Sequence, residues 1–392
     1  MNIRLFVLAL GTFAIGTGSF VFAGLLEGVA EDLSVSVGAA GHLVTVFAVT
    51  YAVSSPVLAT FTGAVSRRRL LIVSLTLFSV ANALAVVAPT FELLLLCRVL
   101  AAGGAAAFTP TAAAVAASIA PPGGRGKALS IVTGGLTVSF VVGIPLGSVI
   151  GTYAGWRTTF VMVGVMGLAA VLGIRALLPD VEGPPPVSLR ERVGVLKHPA
   201  IVAALGLTAF GMMGGFVAFT YISPLLGTLT GFGGGGVSGL LFLFGVAALF
   251  GNSLGGYGAD NAGYGRLMAA ILIVLSFSLL ALSGLFVVAG SALAIAGVVA
   301  VLAAWGIAGF AINPLQQYRV IQLAPTQSNV ALSLNASAIY LGQGVGASIG
   351  SLVLGHGTLA TLGWTGAICS ATALAVLFIG TRRPVPEAAA KG

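Results

Sequence analysis

Residues 91–120 read FELLLLCRVLAAGGAAAFTPTAAAVAASIA, an apolar run with Arg98 set inside it. In a bilayer even lenient insertion scales charge roughly 2.5 to 3.5 kcal/mol for an arginine at mid-depth, and such residues face a bundle interior or a wet cavity. The composition says that the surroundings are hydrocarbon. Of 392 residues, 58% are hydrophobic and 7% charged, and the mean hydropathy is +1.11. A soluble protein carries charge on about a quarter of its positions, so this is an integral membrane protein. The net charge of +8 would suit nucleic acid in a soluble domain. Here the basic residues sit in short loops between apolar runs, where topology accounts for them, and no nucleic-acid partner is expected.

Spanning the hydrocarbon takes about 20 apolar residues, and the sequence supplies twelve such runs: Leu5–Leu26, Ala39–Thr62, Leu70–Ala88, Phe91–Ile119, Ala128–Ile150, Thr158–Leu178, Ala200–Leu226, Val237–Tyr257, Leu267–Val288, Ala292–Leu315, Ala331–Leu354 and Leu362–Ile379. The first is longer than a signal-peptide core and reads as a retained span. An even number places both termini on one side. Arg4, Arg67, Arg68, Arg69, Arg125, Lys127, Arg190, Arg192, Lys197, Arg266, Arg319, Arg382, Arg383 and Lys391 fall at one set of helix ends, against Arg157 at the other. The positive-inside rule makes the first set, and both termini, cytoplasmic. Glu27, Glu31, Asp32 and Glu92 then gather outside, while Arg175 snorkels at the inner end of its helix. Cys97 and Cys369 lie singly in apolar runs, so neither a disulfide framework nor a metal site is indicated, and no cofactor is expected.

The longest polar interruption, PDVEGPPPVSLRERVGVLKHP at 179–199, divides the chain into a bundle at 1–178, a cytoplasmic linker at 179–199 and a bundle with a short tail at 200–392. Within the linker, Ser188–Leu196 suits either a short amphipathic surface helix or a plain solvated segment. The loop after the second span of each half is a tight basic turn: ATFTGAVSRRR in the first, GGYGADNAGYGR in the second. In the fifth span, Gly135, Gly143, Gly147 and Gly151 line one edge at intervals of four or eight, with Pro145 among them, a face for close helix approach beside a bend. A matching small-residue surface at Gly342, Gly344, Gly346 and Gly350 makes the eleventh run its expected partner.

These loops resemble the signature of the major facilitator superfamily, Gly-x-x-x-Asp-Arg-x-Gly-Arg-Arg. Gly256, Asp260 and Gly263 match it, with Arg266 following. In the first half Arg67, Arg68 and Arg69 remain, while Gly63 and Ala64 stand where Asp and Arg belong. Gly135, Gly143, Pro145 and Gly147 resemble the antiporter motif of exporters in this superfamily, with Ile144 between a glycine and proline that are usually adjacent. RVLAAGGAAAF from Arg98 resembles their fourth helix. Together with FVFAGLLEGVAEDLSVS, PPGGRGKALS and GWRTTF, the sequence resembles a twelve-span drug/proton antiporter of the arabinose-efflux or chloramphenicol-resistance kind.

That resemblance implies an all-α membrane protein of two pseudo-symmetric six-helix bundles, working as a monomer in the plasma (inner) membrane. It implies export of a small molecule by proton antiport with alternating access. A sugar or metabolite permease without tight proton coupling and a membrane sensor remain as alternatives; nothing indicates an enzyme. Spans 1, 4, 7 and 10 surround the cavity in this fold, which points to Ser19, Phe20, Arg98, Phe108, Thr109, Phe216, Tyr221 and Asn313 for substrate binding. Many relatives place an acid in span 1, where this chain has Gly16, Thr17, Gly18, Ser19 and Phe20; Glu27, Asp32 and His42, with Arg98, are the candidates for proton coupling. Arg98 cannot release its proton. It either charges the cavity or pins backbone carbonyls of the first or second helix. With the only deep charge positive, a neutral or anionic amphiphile is expected over a lipophilic cation.

Overall fold

A computed structural model describes residues 3–62, 65–121, 125–180, 194–261 and 263–381. Twelve helical stretches are long and apolar enough to cross a membrane: Ile3–Gly24, Val37–Ala59, Arg67–Val86, Phe91–Ser118, Lys127–Ala154, Trp156–Leu177, Pro199–Phe219, Gly234–Gly258, Tyr264–Val288, Ala292–Leu323, Val330–His356 and Leu359–Ile379. These are spans 1 to 12, one for each apolar run. Mid-span side chains such as Leu172 (67% exposed) and Phe250 (66%) are greasy and unshielded, the surface that lipid covers. The Ser188–Leu196 segment falls largely outside the described residues, as do Gly63 and Ala64.

Polar bonds at the helix ends show that the spans alternate in direction. On one face Arg68, at the start of span 3, donates to the carbonyl of Arg175 at the end of span 6. There too, Tyr264 of span 9 donates to Gln316 of span 10 (2.9 Å), which donates to the Ala204 carbonyl of span 7 (2.8 Å). On the other face Arg157, starting span 6, donates to the Ala88 carbonyl beyond span 3 (3.2 Å), and Ser283 of span 9 donates to the Ala360 carbonyl of span 12. The first is the terminal face, where span 1 starts and span 12 ends; the second is the opposite face.

Packing repeats between the halves. Span 1 lies against spans 5 and 6, span 3 against 4 and 6, and span 2 against 4; likewise span 7 lies against 11 and 12, span 9 against 10 and 12, and span 8 against 10. Two six-helix bundles result, joined where span 2 crosses span 11 and span 5 crosses span 8.

The glycine edges have a different partner from the one the sequence suggests. A Cβ on Gly135 would stand 2.4 Å from the Ala9 carbonyl, and on Gly143 2.1 Å from Thr17 Oγ1; Gly147 and Gly151 press on Val21 and Leu25. Span 5 therefore docks on span 1 of its own bundle and not on span 11. In the second bundle Gly342, Gly346 and Gly350 dock on Ala209, Met213 and Val217 of span 7, the same contact repeated. Gly344 alone among those four faces span 2, at Ala48 and Val49.

Span 2 is broken at Gly41 and span 9 ends in a 3-10 turn at Leu285–Val288; three further departures from continuous α-helix lie close to the contact between the bundles. Span 1 is α-helical to Phe20 and then tightens into a 3-10 turn at Val21–Gly24. The seventh run stops at Phe219, turns at Thr220 and Tyr221, and restarts as Ile222–Thr230. Pro224 explains this break, since it has no N–H to give the Thr220 carbonyl and its ring would strike it. In span 5, Ser139–Gly143 winds as a π-turn just before Pro145, whose ring would clash with the Val141 carbonyl in a regular helix.

Candidate functional site

Two of these interruptions, at Phe20 in span 1 and at Phe219 at the end of span 7, fall on one spot between the bundles. A narrow cleft lies there, closed too tightly in this conformation to hold a water molecule and lined by Ser19, Phe20 and Ala23 of span 1, Val44 of span 2, and Phe216, Phe219 and Thr220 at the end of span 7. An aromatic cluster surrounds it. The Phe20 ring lies 4.6 Å from Phe140 and 6.0 Å from Phe216, centroid to centroid, and Phe140 lies 4.6 Å from Phe310. Phe219 contacts Phe244 at 5.3 Å and Trp305 at 6.3 Å. Spans 1, 5, 7, 8 and 10 thus meet on rings, and aromatic pairs of this kind contribute about 0.5–1.5 kcal/mol each beyond their buried area.

Of the eight side chains expected to bind substrate, Ser19, Phe20 and Phe216 line this space. The other five lie elsewhere. Phe108 is fully buried against Gly11 inside the first bundle. Thr109 sits beside Tyr51, its hydroxyl oxygen buried. Asn313 accepts from Gln317 along its own helix (3.2 Å). Tyr221 is wholly buried towards the opposite face, its hydroxyl shared between the carbonyls of Ala347 (3.1 Å) and Gly38 (3.3 Å).

Arg98 is 1% exposed. It donates through Nη1 to the Gly18 carbonyl (3.0 Å) and through Nε to the Leu43 carbonyl (3.4 Å). Its guanidinium lies between the rings of Phe22 and Phe47, at 4.4 and 4.2 Å from their centroids. Two of its nitrogens thus bond the backbones of spans 1 and 2, while Nη2 is buried without a hydrogen-bond partner.

The titratable candidates gather on the opposite face. Asp32 accepts from Arg157 Nη1 and from the Trp156 indole (3.2 Å); the Arg157 hydrogen bond, with that of Trp156 and the guanidinium charge, holds its carboxyl below the ordinary carboxylate value. Glu27 lies in the first turn of helix Leu26–Asp32 with its side chain exposed at the surface, where partial desolvation raises its carboxyl. His42 opens the helix of span 2 and is half-buried.

On the terminal face Arg67 and Arg68 begin span 3. The backbone of Asp260 continues span 8, with Gly256 beside open space. Gly263 precedes Tyr264, and Arg266 is exposed. Pro145 is buried in span 5, just after the π-turn at Ser139–Gly143. Among the described residues no group of three His, Cys, Asp or Glu side chains is placed to hold a metal ion.

Sequence reasoning missed Ala23, Val44, Phe219 and Thr220. One signal for two of them was present: Phe20-Val21 in span 1 is echoed by Phe216-Val217 in span 7, and the residues just beyond occupy equivalent places in the repeat.

Comparison with known proteins bears on this geometry. The sequence matches the Major Facilitator Superfamily over residues 8–347. It is 34% identical over 370 residues to the uncharacterized MFS-type transporter YbcL of Bacillus subtilis, covering 93% of this chain and 92% of that one. To the inner membrane transport protein YdhP of Escherichia coli K12 it is 31% identical over 392 residues, covering 98% and 97%. In fold it is similar to a bacterial homologue of the human lysosomal transporter Spinster in an inward-facing and occupied conformation, with a TM-score of 0.75 at 18% identity over 97% of this chain and 98% of that one. Twelve spans in two repeated bundles, a space between them, and a family match across most of the sequence support secondary transport of a small molecule across a membrane; the chain belongs to the major facilitator superfamily.

Proposed function

We propose that the chain is a secondary active exporter of a small amphiphilic molecule, working by alternating access and proton antiport in the plasma (inner) membrane with both termini cytoplasmic. The observation that carries this reading is the aromatic-walled space between spans 1, 2 and 7, built from both bundles at the point where two helices are interrupted. Residues 1–178 and 200–392 act as the rocking units and 179–199 as their tether. Contacts that close the bundles lie to one side of the space: Ser238 to Ser148 (3.0 Å) and Ser348 to Thr45 (3.2 Å). Rocking about the 2–11 and 5–8 crossings opens it to the two sides in turn. Glu27, with its raised carboxyl, together with Asp32 and His42, supplies the protonatable groups on the outer side.

Permease activity without tight proton coupling is the second reading, favoured by one fact: among the described residues the acids, Glu27, Glu31, Asp32, Glu92, Asp180 and Asp260, all lie at helix ends or in loops. Accumulation of fluorescent amphiphiles and a phenicol-like antibiotic in cells stripped of their own exporters tests both. Wild type is expected to lower accumulation, Phe216→Ala to lose that effect at normal membrane levels, and an uncoupler to abolish it. Export that survives the uncoupler selects the second reading; accumulation equal to empty cells for every compound sinks the first.

A further inference from the structure

Gln343 stands at the middle of span 11, Val330–His356, and is 6% exposed. Its carboxamide makes no hydrogen bond among the described residues, and unlike Arg98 Nη2 its atoms are not sealed in. An amide at this depth calls for a partner, and the protein supplies none. Neighbours on the helix fix where it points. Gly342 and Gly346 pack on Ala209 and Met213 of span 7; Gly344 packs on Ala48 and Val49 of span 2, and Tyr340 stacks on Tyr51 of span 2 with centroids 3.7 Å apart. At about 100° per residue, Gln343 lies between those two faces, towards the region that spans 2 and 7 enclose. Leu341, 46% exposed, lies on the other side of the helix, towards lipid. Gly346 also meets Phe216, so Gln343, one turn back, is just on the terminal side of the closed aromatic cleft. Span 10 repeats the arrangement. Its Phe310 reaches Phe140 of the other bundle, and Asn313 and Gln317 follow on that face, one and two turns nearer the terminal face. Their mutual bond leaves Asn313 Nδ2 and Gln317 Oε1 to other partners.

We propose that Gln343 is a solute-contacting residue, and that the transported molecule presents an amide N–H and carbonyl to its carboxamide. A carboxamide donates and accepts side by side, so another amide answers both groups at once, whereas an ester answers only the donor. Asn313 and Gln317 give span 10 the same uncharged polarity. The inference rests on the export reading above and names the class of solute: neutral molecules bearing an amide.

Two measurements on the purified full-length protein in lipid nanodiscs test it. With Cys97 and Cys369 replaced by alanine, Gln343→Cys is expected to react with a charged methanethiosulfonate reagent, and Leu341→Cys, facing lipid, is not. Ligand-observed NMR titrations then compare N-benzylacetamide with its ester isostere, benzyl acetate, each against empty nanodiscs. The amide is expected to bind the unsubstituted protein about tenfold more tightly than the ester, the effect of one buried hydrogen bond left unmade. In Gln343→Leu, which keeps the bulk and loses the amide, that preference disappears while the ester binds as before. An unreactive Gln343→Cys, or a preference for the amide that survives in Gln343→Leu, overturns the assignment. So does a reactive cysteine with equal or absent binding of the two probes, which leaves Gln343 holding water only. Neither measurement requires transport, so the accumulation assay above judges the export reading separately.

Discussion

Arg98 carries a permanent charge whose partners are carbonyl dipoles and ring faces rather than a carboxylate. A guanidinium suits this place because it is flat, weakly hydrated and forked, so it fits between Phe22 and Phe47 while two of its nitrogens reach separate helices. Lysine offers a compact, strongly hydrated ammonium with neither property. Arg98→Ala and Arg98→Lys are both expected to lower the unfolding temperature of the detergent-purified protein, by the equivalent of about 1–3 kcal/mol for a buried acceptor left unmet. Full rescue by lysine would show that charge alone suffices. Asp32 makes the opposite kind of contact, an exposed one tying the loop after span 1 to Trp156 and Arg157 at the start of span 6. Its carboxyl is held below 3.8, so the folded protein binds that proton less readily than the unfolded chain does. The stabilisation is therefore complete above 3.8 and is lost as pH falls through the lower folded value. Asp32→Asn should unfold at a lower temperature than wild type at pH 7, and thermal melts should converge as the medium is acidified below the carboxylate range; a gap independent of pH would assign the effect to shape.

Among the elements, the contact between spans 1 and 5 turns on the absence of side chains. Gly135 meets the Ala9 carbonyl and Thr12 across the crossing, whereas its neighbour Gly134 has nothing within 4 Å. Gly135→Val must push two backbones apart, an overpacking cost of about 1–3 kcal/mol, and should reduce the yield of monodisperse protein on size exclusion. Gly134→Ala, on the same helix, should not, and equal loss from both would mean that helix propensity rather than docking is at stake. Here the limits of the sequence are plain. Hydrophobic length gave all twelve spans, since a bilayer demands it of any chain. The period of Gly135, Gly143 and Gly147 gave the face they occupy; it held no information on which neighbour that face meets, and span 1 proved to be the partner. The interruptions at Phe20 and Phe219 were hidden because the residues on both sides are equally apolar, and hydropathy does not distinguish an α-turn from a 3-10 turn. With them went most of the pocket: Ser19, Phe20 and Phe216 were legible as polar or aromatic residues at depth, but Val44 and Phe219 look like any lipid-facing side chain until the breaks bring them together.

For the whole molecule the question is what holds the bundles shut on the opposite face, and Tyr221 is placed to do it. It stands in the break after span 7, its ring 2.5 Å from where a Cβ on Gly350 would lie and its hydroxyl 2.0 Å from one on Gly41, so glycines from both bundles make its slot. The hydroxyl reaches Ala347 of its own bundle and Gly38 of the other. Opening this face means drawing Gly38 away from it. Tyr221→Phe keeps the ring and removes that bond, worth about 1 kcal/mol or about fivefold in the ratio of closed to open molecules. Gly41→Ala should act in the same direction by evicting the hydroxyl. With Cys97 and Cys369 replaced by alanine, spin labels at Glu31→Cys and Thr358→Cys report the separation of the bundles on this face by double electron–electron resonance. Wild type should give one short distance, and both variants should add a longer one while the labels keep their mobility. Identical distance distributions in all three would assign closure to the Ser148–Ser238 and Thr45–Ser348 contacts and reduce Tyr221 to packing.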